Sequence, residues 1–277
     1  MISPRLSSRR HFLASTLAAF GSGSVLAPDL FAAPAPPVTT ALSAIVMDAR
    51  SGRVLFEKNA DQPRPVASTQ KLLTALILSE GGGLNDRLTV QTGDLAVEPT
   101  KLGLKPGQRY GRGYLMQAML VKSCNDVARC LARDYAGSEA SFARVMTSRA
   151  SKLGCRASRF HNAHGLPSSG QYSTARDMAW VARAAHYVPV IRQIVRIKQL
   201  PFTYADGRRI TLENTNKLMR RCEYVTGMKT GYTNAAGKCL ISSAEAGGRE
   251  VICVLLGSSS KFIWDESKQL LDYGLSV

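Results

Sequence analysis

The 277-residue sequence is poor in the side chains from which metal sites and histidine-dependent hydrolases are usually built. It has six cysteines, but no two are separated by only two residues, so the spacing typical of a zinc site is missing. The four histidines are not accompanied by a Gly-x-Ser-x-Gly segment, which argues against a Ser-His-Asp hydrolase. We therefore expect no metal and no cofactor, and we interpret His161 and His164 as structural. The even number of cysteines permits disulfides, but their spacing does not assign a pairing.

Acidic residues are also scarce. There are 20 Asp and Glu against 36 Lys and Arg, which gives a formal net charge of +16. A surface of this kind favours an anionic partner such as nucleic acid, acidic lipid or a cell-wall polymer. Because the basic residues are spread along the chain and no nucleic-acid-binding motif occurs, nucleic acid is the least favoured of the three.

The N-terminal region lacks a continuous apolar run of the roughly 20 residues that a membrane-spanning helix needs. It is interrupted by Gly21-Ser22-Gly23-Ser24. The region nevertheless has the order of an export signal, because Ser8-Arg9-Arg10-His11-Phe12-Leu13 resembles the twin-arginine pattern and precedes apolar and then small residues. We predict that residues 1–35 are this signal and that residues 36–277 form the catalytic domain. The mature protein would reach the periplasm or cell envelope and would touch a membrane only through an N-terminal segment left uncleaved.

The spacing of apolar residues predicts an α+β fold. Two short β-rich runs, Ala41–Asp48 and Arg53–Lys58, precede an apolar helix that contains Ser68 in its first turn and ends at Gly81–Gly83. Residues 84–200 are mostly helical in pattern, with helical regions at Gly113–Ala136, Ala140–Leu153 and Ala175–Tyr187. Three strands and a closing helix follow, at Glu223–Lys229, Gly237–Ala244, Glu250–Leu256 and Lys261–Tyr273. We expect one antiparallel sheet built from both ends of the chain, with the helical block inserted as a second lobe.

Ser68 and Lys71 are the first candidate catalytic residues. Three positions apart, they would share one face of the apolar helix. A serine hydroxyl needs a base to become a nucleophile, and a lysine serves if burial or a second cation lowers its pKa. Taken alone, the pair is better explained by a helix cap and a solvated charge.

Two later motifs favour the catalytic interpretation. Ser123-Cys124-Asn125 lies in the helical block, and Lys229-Thr230-Gly231 ends a predicted strand. The ordered set Ser-x-x-Lys, Ser-x-Asn, Lys-Thr-Gly resembles the penicillin-binding and serine β-lactamase superfamily. Further segments, among them Leu104–Gly107, Asn162–Leu166 and Asn214–Leu218, make the chain similar to the low-molecular-weight serine D-alanyl-D-alanine carboxypeptidases of the peptidase S11 family.

The resemblance implies the β-lactamase/transpeptidase-like fold, with a five-stranded antiparallel sheet flanked by helices. It also implies the chemistry. Ser68 would attack the penultimate D-alanine of a peptidoglycan stem peptide, Lys71 would accept its proton, and Ser123 would bridge Lys71 and the leaving amine. The substrate would be held by the remaining motif residues, namely Asn125, Lys229, Thr230, Gly231 and Tyr232. The backbone N–H groups of Ser68 and Tyr232 would form the oxyanion hole, and β-lactam antibiotics would acylate the serine.

Alternatives with the same fold remain. A D,D-endopeptidase that cuts cross-links would use the same chemistry, and a non-catalytic cell-wall-binding protein would use the fold alone. A class A β-lactamase is less favoured, because no Glu-x-x-x-Asn segment occurs between residues 150 and 229. We interpret Cys124 as a passive small residue rather than a reactive thiol. The closing helix is not followed by the further β domain of many such carboxypeptidases, so a soluble protein, or one held by its N-terminal segment, is expected.

Overall fold

The computed structural model describes residues 35–277, so the predicted export signal lies outside the described residues except for its last residue. Nine strands occur in the described part: β1 (Ser43–Asp48), β2 (Val54–Lys58), β3 (Arg87–Thr89), β4 (Arg109–Gly111), β5 (Gln199–Thr203), β6 (Arg209–Glu213), β7 (Val225–Thr233), β8 (Gly237–Ala246) and β9 (Arg249–Ser258). The main sheet is antiparallel with five strands in the order β2-β1-β9-β8-β7. The prediction of one sheet assembled from both ends of the chain is confirmed.

Seven α-helices accompany the strands in the described part: α1 (Lys71–Glu80), α2 (Arg112–Lys122), α3 (Asn125–Ala136), α4 (Glu139–Lys152), α5 (Ala175–His186), α6 (Pro189–Val195) and α7 (Ile263–Ser276). The predicted helices that became α1, α4, α5 and α7 are confirmed, with ends shifted by a few residues. Gly81 caps α1 through a bond from its N–H to the carbonyl of Ile77.

The central strands are buried on both faces, which explains their continuous apolar runs. Along β9, Ile252 and Val254 pack into the core that contains α1 and α5, whereas Val251, Cys253 and Leu255 pack against the core formed with α7. This alternation follows from the two-residue period of a strand. The sheet is therefore covered on one side by the closing helix and the turn that contains Leu218 and Met219, and on the other by the core that contains α1 and α5.

Three predictions about local structure are wrong. The region Gly113–Ala136 is not one helix, because α2 ends at Lys122 and α3 begins at Asn125. The break lies at Ser123, whose φ of +70° is in the left-handed region. Ser68 belongs to a 3₁₀ turn, Ala67–Gln70, that leads directly into α1, rather than to α1 itself. The strand predicted to end at Lys229 continues to Thr233, so Lys229-Thr230-Gly231 lies within β7.

The inserted block between α1 and the last three strands of the sheet contains α2 to α6, as the helical pattern predicted. It also contains two small two-stranded antiparallel sheets, β3–β4 and β5–β6, to which the apolar spacing assigned no strands. These strands are three to five residues long, too short for a two-residue period to stand out from the helical background. Within the described residues, no helix is both long and apolar enough to cross a bilayer.

Candidate active site

Ser68 sits at the entrance of α1, in a turn with unusual backbone geometry. Its predecessor Ala67 has a φ of +48°, a conformation that a residue with a side chain rarely adopts and that is found mostly at functional sites. The Ser68 hydroxyl lies 2.8 Å from Nζ of Lys71 and 3.2 Å from the carbonyl oxygen of His164. The hydroxyl is therefore held beside an amine at the positive end of a helix, where negative charge on oxygen is stabilised.

Lys71 is fully buried at the first position of α1. Besides Ser68, its Nζ donates to Oδ1 of Asn125 at 2.7 Å and to the carbonyl oxygen of His164 at 2.6 Å. Burial holds the pKa of Lys71 well below its ordinary range, and the positive charge of Lys229 lowers it further. Both effects favour the neutral amine, which is the form that can accept a proton from the serine beside it.

The break between α2 and α3 places Asn125 against Lys71 and Ser123 against Lys229. Asn125 begins α3 and donates through Nδ2 to the carbonyl oxygens of Glu98 and Pro99, at 3.1 and 2.9 Å, while its Oδ1 faces Lys71. Ser123 accepts a hydrogen bond of 2.8 Å from Nζ of Lys229. A relay from Lys71 through Ser123 would thus require the Ser123 hydroxyl to turn between two amines.

Lys229 reaches the same place from β7. Its side chain is buried, and its Nζ donates to Ser123 and, at 3.0 Å, to the carbonyl oxygen of Thr230. Burial lowers the pKa of Lys229 to about 7. The neighbouring hydroxyl of Thr230 donates to Oγ1 of Thr215 at 2.6 Å. The Thr215 hydroxyl therefore lies next to Lys229-Thr230-Gly231.

Gly231 lets β7 lie directly against the serine turn. A Cβ atom on Gly231 would be 2.8 Å from the backbone nitrogen of Ser68 and 3.1 Å from that of Thr69. On the other side of the turn, a Cβ on Gly165 would be 2.1 Å from the carbonyl oxygen of Ala67. The backbone of the serine turn is therefore packed between Gly165 and Gly231. This packing fixes the N–H groups of the turn relative to β7.

One cavity of about 500 Å³ joins these elements. Six of the eight residues that the sequence predicted as site residues line it: Ser68, Ser123, Asn125, Thr230, Gly231 and Tyr232. The other two, Lys71 and Lys229, lie immediately beneath and contact the lining hydroxyls. Residues assigned no role from the sequence also line the cavity, among them Thr100, Leu166, Thr215 and Trp264.

Comparison with known proteins identifies the family. The family described as D-alanyl-D-alanine carboxypeptidase, peptidase S11, matches residues 31–260. The chain belongs to this family. It is 36% identical to D-alanyl-D-alanine carboxypeptidase DacC of Escherichia coli, over 90% of this chain and 66% of that protein. It is 32% identical to DacB2 of Mycobacterium tuberculosis, over 84% of this chain and 81% of that protein.

A solved structure extends the likeness to the fold. The D-alanyl-D-alanine carboxypeptidase DacD from Francisella tularensis superposes with a TM-score of 0.85 at 28% identity, covering 93% of this chain and 75% of that one. The fold is therefore the penicillin-binding, transpeptidase-like one, and the chain is a peptidase S11 serine-type D-alanyl-D-alanine carboxypeptidase in class.

His164 takes part in the S11 site through its main chain, which sequence reasoning did not assign. Its carbonyl oxygen accepts from both Lys71 and Ser68. Its ring is held by Glu139, whose Oε1 is 3.1 Å from Nε2, and Glu139 in turn lies 3.4 Å from Arg129. Burial lowers the pKa of the His164 imidazole, while Glu139 acts in the opposite direction. No side-chain motif signals a carbonyl of this kind, although the segment Asn162–Leu166 supported the resemblance.

The cysteines of the described residues are all free and buried. Disulfides, which the even count permitted, are absent from this part of the chain. Cys124 lies next to Ser123, but burial raises the pKa of its thiol to about 12, so it remains protonated and unreactive at neutral pH. Cys239 lines the active-site cavity, and burial raises its pKa to about 11. Both behave as small apolar residues.

Proposed function

We propose that this S11 peptidase removes the terminal D-alanine from peptidoglycan stem peptides through an acyl-enzyme on Ser68. Neutral Lys71 takes the hydroxyl proton as Oγ bonds to the carbonyl carbon of the penultimate D-alanine. The oxyanion is held by the N–H groups of Ser68 and Tyr232. The C–N bond then breaks, and the amine of the departing D-alanine receives a proton that passes from Lys71 by way of Ser123. Water hydrolyses the ester that remains and restores the serine.

Lys229, Thr230 and Asn125 hold the substrate in this proposal. The ammonium of Lys229 and the hydroxyl of Thr230 face the terminal carboxylate, and a bound carboxylate favours the charged form of Lys229. Asn125 keeps Lys71 in place, and its Oδ1, which has a second lone pair, can also accept a hydrogen bond from a substrate N–H. The terminal carboxylate thus explains why the cleft has a second buried lysine beside the one that acts as base.

The observation that supports this function most directly is the 2.8 Å contact between the Ser68 hydroxyl and a lysine amine buried beside a second lysine. A solvated helix charge would have neither the burial nor the depressed pKa. The same arrangement favours acylation by β-lactams, because these compounds would present a strained amide to Ser68 and a carboxylate to Lys229.

Ser68→Ala provides the test. The native protein should be labelled by fluorescent penicillin and should release D-alanine from a pentapeptide that ends in two D-alanines, whereas Ser68→Ala should do neither. Circular dichroism of both proteins controls for folding. Labelling of the native protein without release, together with cleavage of cross-linked muropeptides, would favour the endopeptidase. A native protein that is never labelled would refute the acyl-enzyme and leave only wall binding.

We also propose that residues 1–35 direct export and that residues 36–277 are the catalytic domain that works in the periplasm or cell envelope. The order of twin arginines, apolar stretch and small residues supports this. Replacing Arg9 and Arg10 together with lysine should retain the protein in the cytoplasm, and the N-terminus of the native periplasmic protein should lie near residue 35. Equal export of both forms would contradict a twin-arginine signal.

A further inference from the structure

Three lysines line the active-site cavity in addition to the two at its base. Lys122 ends α2, Lys217 begins the turn after β6, and Lys238 is the second residue of β8. The residues that line the cavity include no Asp or Glu, and in the described part of the chain none of these three lysines forms an ion pair. The rim thus carries positive charge that the protein itself leaves unpaired, which favours substrates with more than one negative group.

Lys238 is the one of the three whose position is fixed. It is the cross-strand partner of Tyr232, and its Nζ lies 4.1 Å from the centroid of the Tyr232 ring. A cation held over an aromatic face loses little further freedom when an anion binds, so less of the binding energy is spent on ordering the side chain. Tyr232 itself is 55% exposed, so the pair stands at the open mouth of the cavity.

The strand gives this pair a definite place along the substrate. β7 is an edge strand, so an extended peptide can lie beside it. With the terminal carboxylate at Lys229 and Thr230, Tyr232 lies two residues beyond Thr230, which is about 7 Å at the rise of a strand. Two peptide residues cover the same distance. The two D-alanines therefore span Thr230 to Tyr232, with the penultimate carbonyl at the Tyr232 N–H of the proposed oxyanion hole. The residue that precedes the two D-alanines begins next to the Tyr232–Lys238 pair.

We propose that Lys238 is a specificity-determining residue, which selects stem peptides carrying a free side-chain carboxylate on the residue before the two D-alanines. Lys122 and Lys217 add to the positive field around that carboxylate. This inference rests on the proposed function, because it needs the substrate to lie along β7 with its terminus at Lys229. The role of Lys238 is a preference among peptides that undergo the same reaction, and every step proposed for that reaction stays the same.

The test compares two substrates that differ in one charge. Acetyl-L-Glu-D-Ala-D-Ala and acetyl-L-Gln-D-Ala-D-Ala have nearly the same shape, and D-alanine release gives kcat/KM for each. The native enzyme should prefer the Glu peptide. Lys238→Gln should lower the ratio of kcat/KM for the Glu peptide to that for the Gln peptide about two- to fivefold, as expected for a partly exposed ion pair. Added NaCl should reduce the native preference in the same direction.

Matched variants separate charge from shape. Lys152→Gln removes an exposed lysine at the end of α4, outside the cavity lining, and should leave the ratio of the two substrates as it is in the native enzyme. Lys238→Arg keeps the charge and should keep the preference. A Lys238→Gln enzyme that cleaves both peptides with the native ratio would overturn the inference alone. A native enzyme that cleaves neither peptide and is not labelled by penicillin would refute the proposed function, and the inference with it.

Discussion

Replacing Gly231 with alanine should disable the enzyme without unfolding it. The added Cβ would lie 2.8 Å from the nitrogen of Ser68, 3.0 Å from Cβ of Ala67 and 3.1 Å from the nitrogen of Thr69. The nearest atom belongs to the backbone, so no flexible side chain can move aside. Reaching ordinary contact requires β7 and the serine turn to separate by about 0.6 Å. That separation acts directly on the two backbone N–H groups proposed for the oxyanion hole, since one belongs to Ser68 and the other to Tyr232.

The size of the effect follows from the precision that the reaction needs. A misplacement of about 1 Å typically costs about 10²-fold in rate, and loss of one oxyanion donor costs about 10²–10³-fold. We therefore expect Gly231→Ala to reduce the second-order rate of penicillin acylation about 10²-fold. D-alanine release should fall by a similar factor, because both reactions pass through a tetrahedral centre on Ser68.

The assay measures acylation by fluorescent penicillin and D-alanine release, with thermal unfolding recorded for the same samples. Gly93→Ala is the matched control, because a Cβ at Gly93 meets nothing within 4 Å and its φ is not positive. It should keep native rates. If Gly231→Ala acylates within threefold of the native rate while its melting temperature is unchanged, the close packing of β7 on the serine turn does not position the oxyanion hole.

Three further predictions concern the surroundings of the serine. With increasing pH, kcat/KM should rise as Lys71 loses its proton at a depressed pKa. It should then fall as Lys229, with a pKa of about 7, loses its proton. A constant kcat/KM from pH 6 to 9 would contradict these assignments. Cys124→Ala should keep native acylation within about threefold, and iodoacetamide should not inactivate the native enzyme, because the thiol is buried and protonated. Glu139→Gln should lower the free energy of unfolding by about 1–2 kcal/mol, because the His164 ring loses a charged partner at 3.1 Å. Urea denaturation measures this change, and an unchanged urea midpoint would show that the Glu139–His164 contact does not stabilise the fold.

Those parts of the fold that depend on local sequence were predictable. The hairpin of β1 and β2, the end of α1 at Gly81 and the closing helix α7 each follow from apolar spacing and turn residues close together in the chain. The same holds for the candidate site, because the three motifs are short and their order is informative. The resemblance implies that the three motifs come together, and in the structure they lie around or directly beneath one cavity.

The remaining features depend on contacts between distant segments. Ser123, which has a left-handed backbone, accepts a hydrogen bond from Lys229, 106 positions away in the sequence. The continuation of β7 past Lys229 depends on pairing with β8, which a strand pattern read from one segment does not contain. The carbonyl of His164 is a main-chain group that every residue possesses, so only the fold can identify it as a partner of Lys71.

The two buried lysines place catalysis in direct conflict with stability. Between a pKa of about 7 for folded Lys229 and about 10.4 for a lysine in the unfolded chain, the unfolded state binds more protons, so the contribution of this group to stability rises with pH. Below pH 7 the folded protein carries the full cost of a buried, charged Lys229. In the proposed function, a substrate carboxylate removes that cost by pairing with the ammonium and raising its pKa again. On that proposal, the free energy that folding loses by burying this charge is recovered on binding an anion, and the site would therefore favour peptides with a free C-terminus.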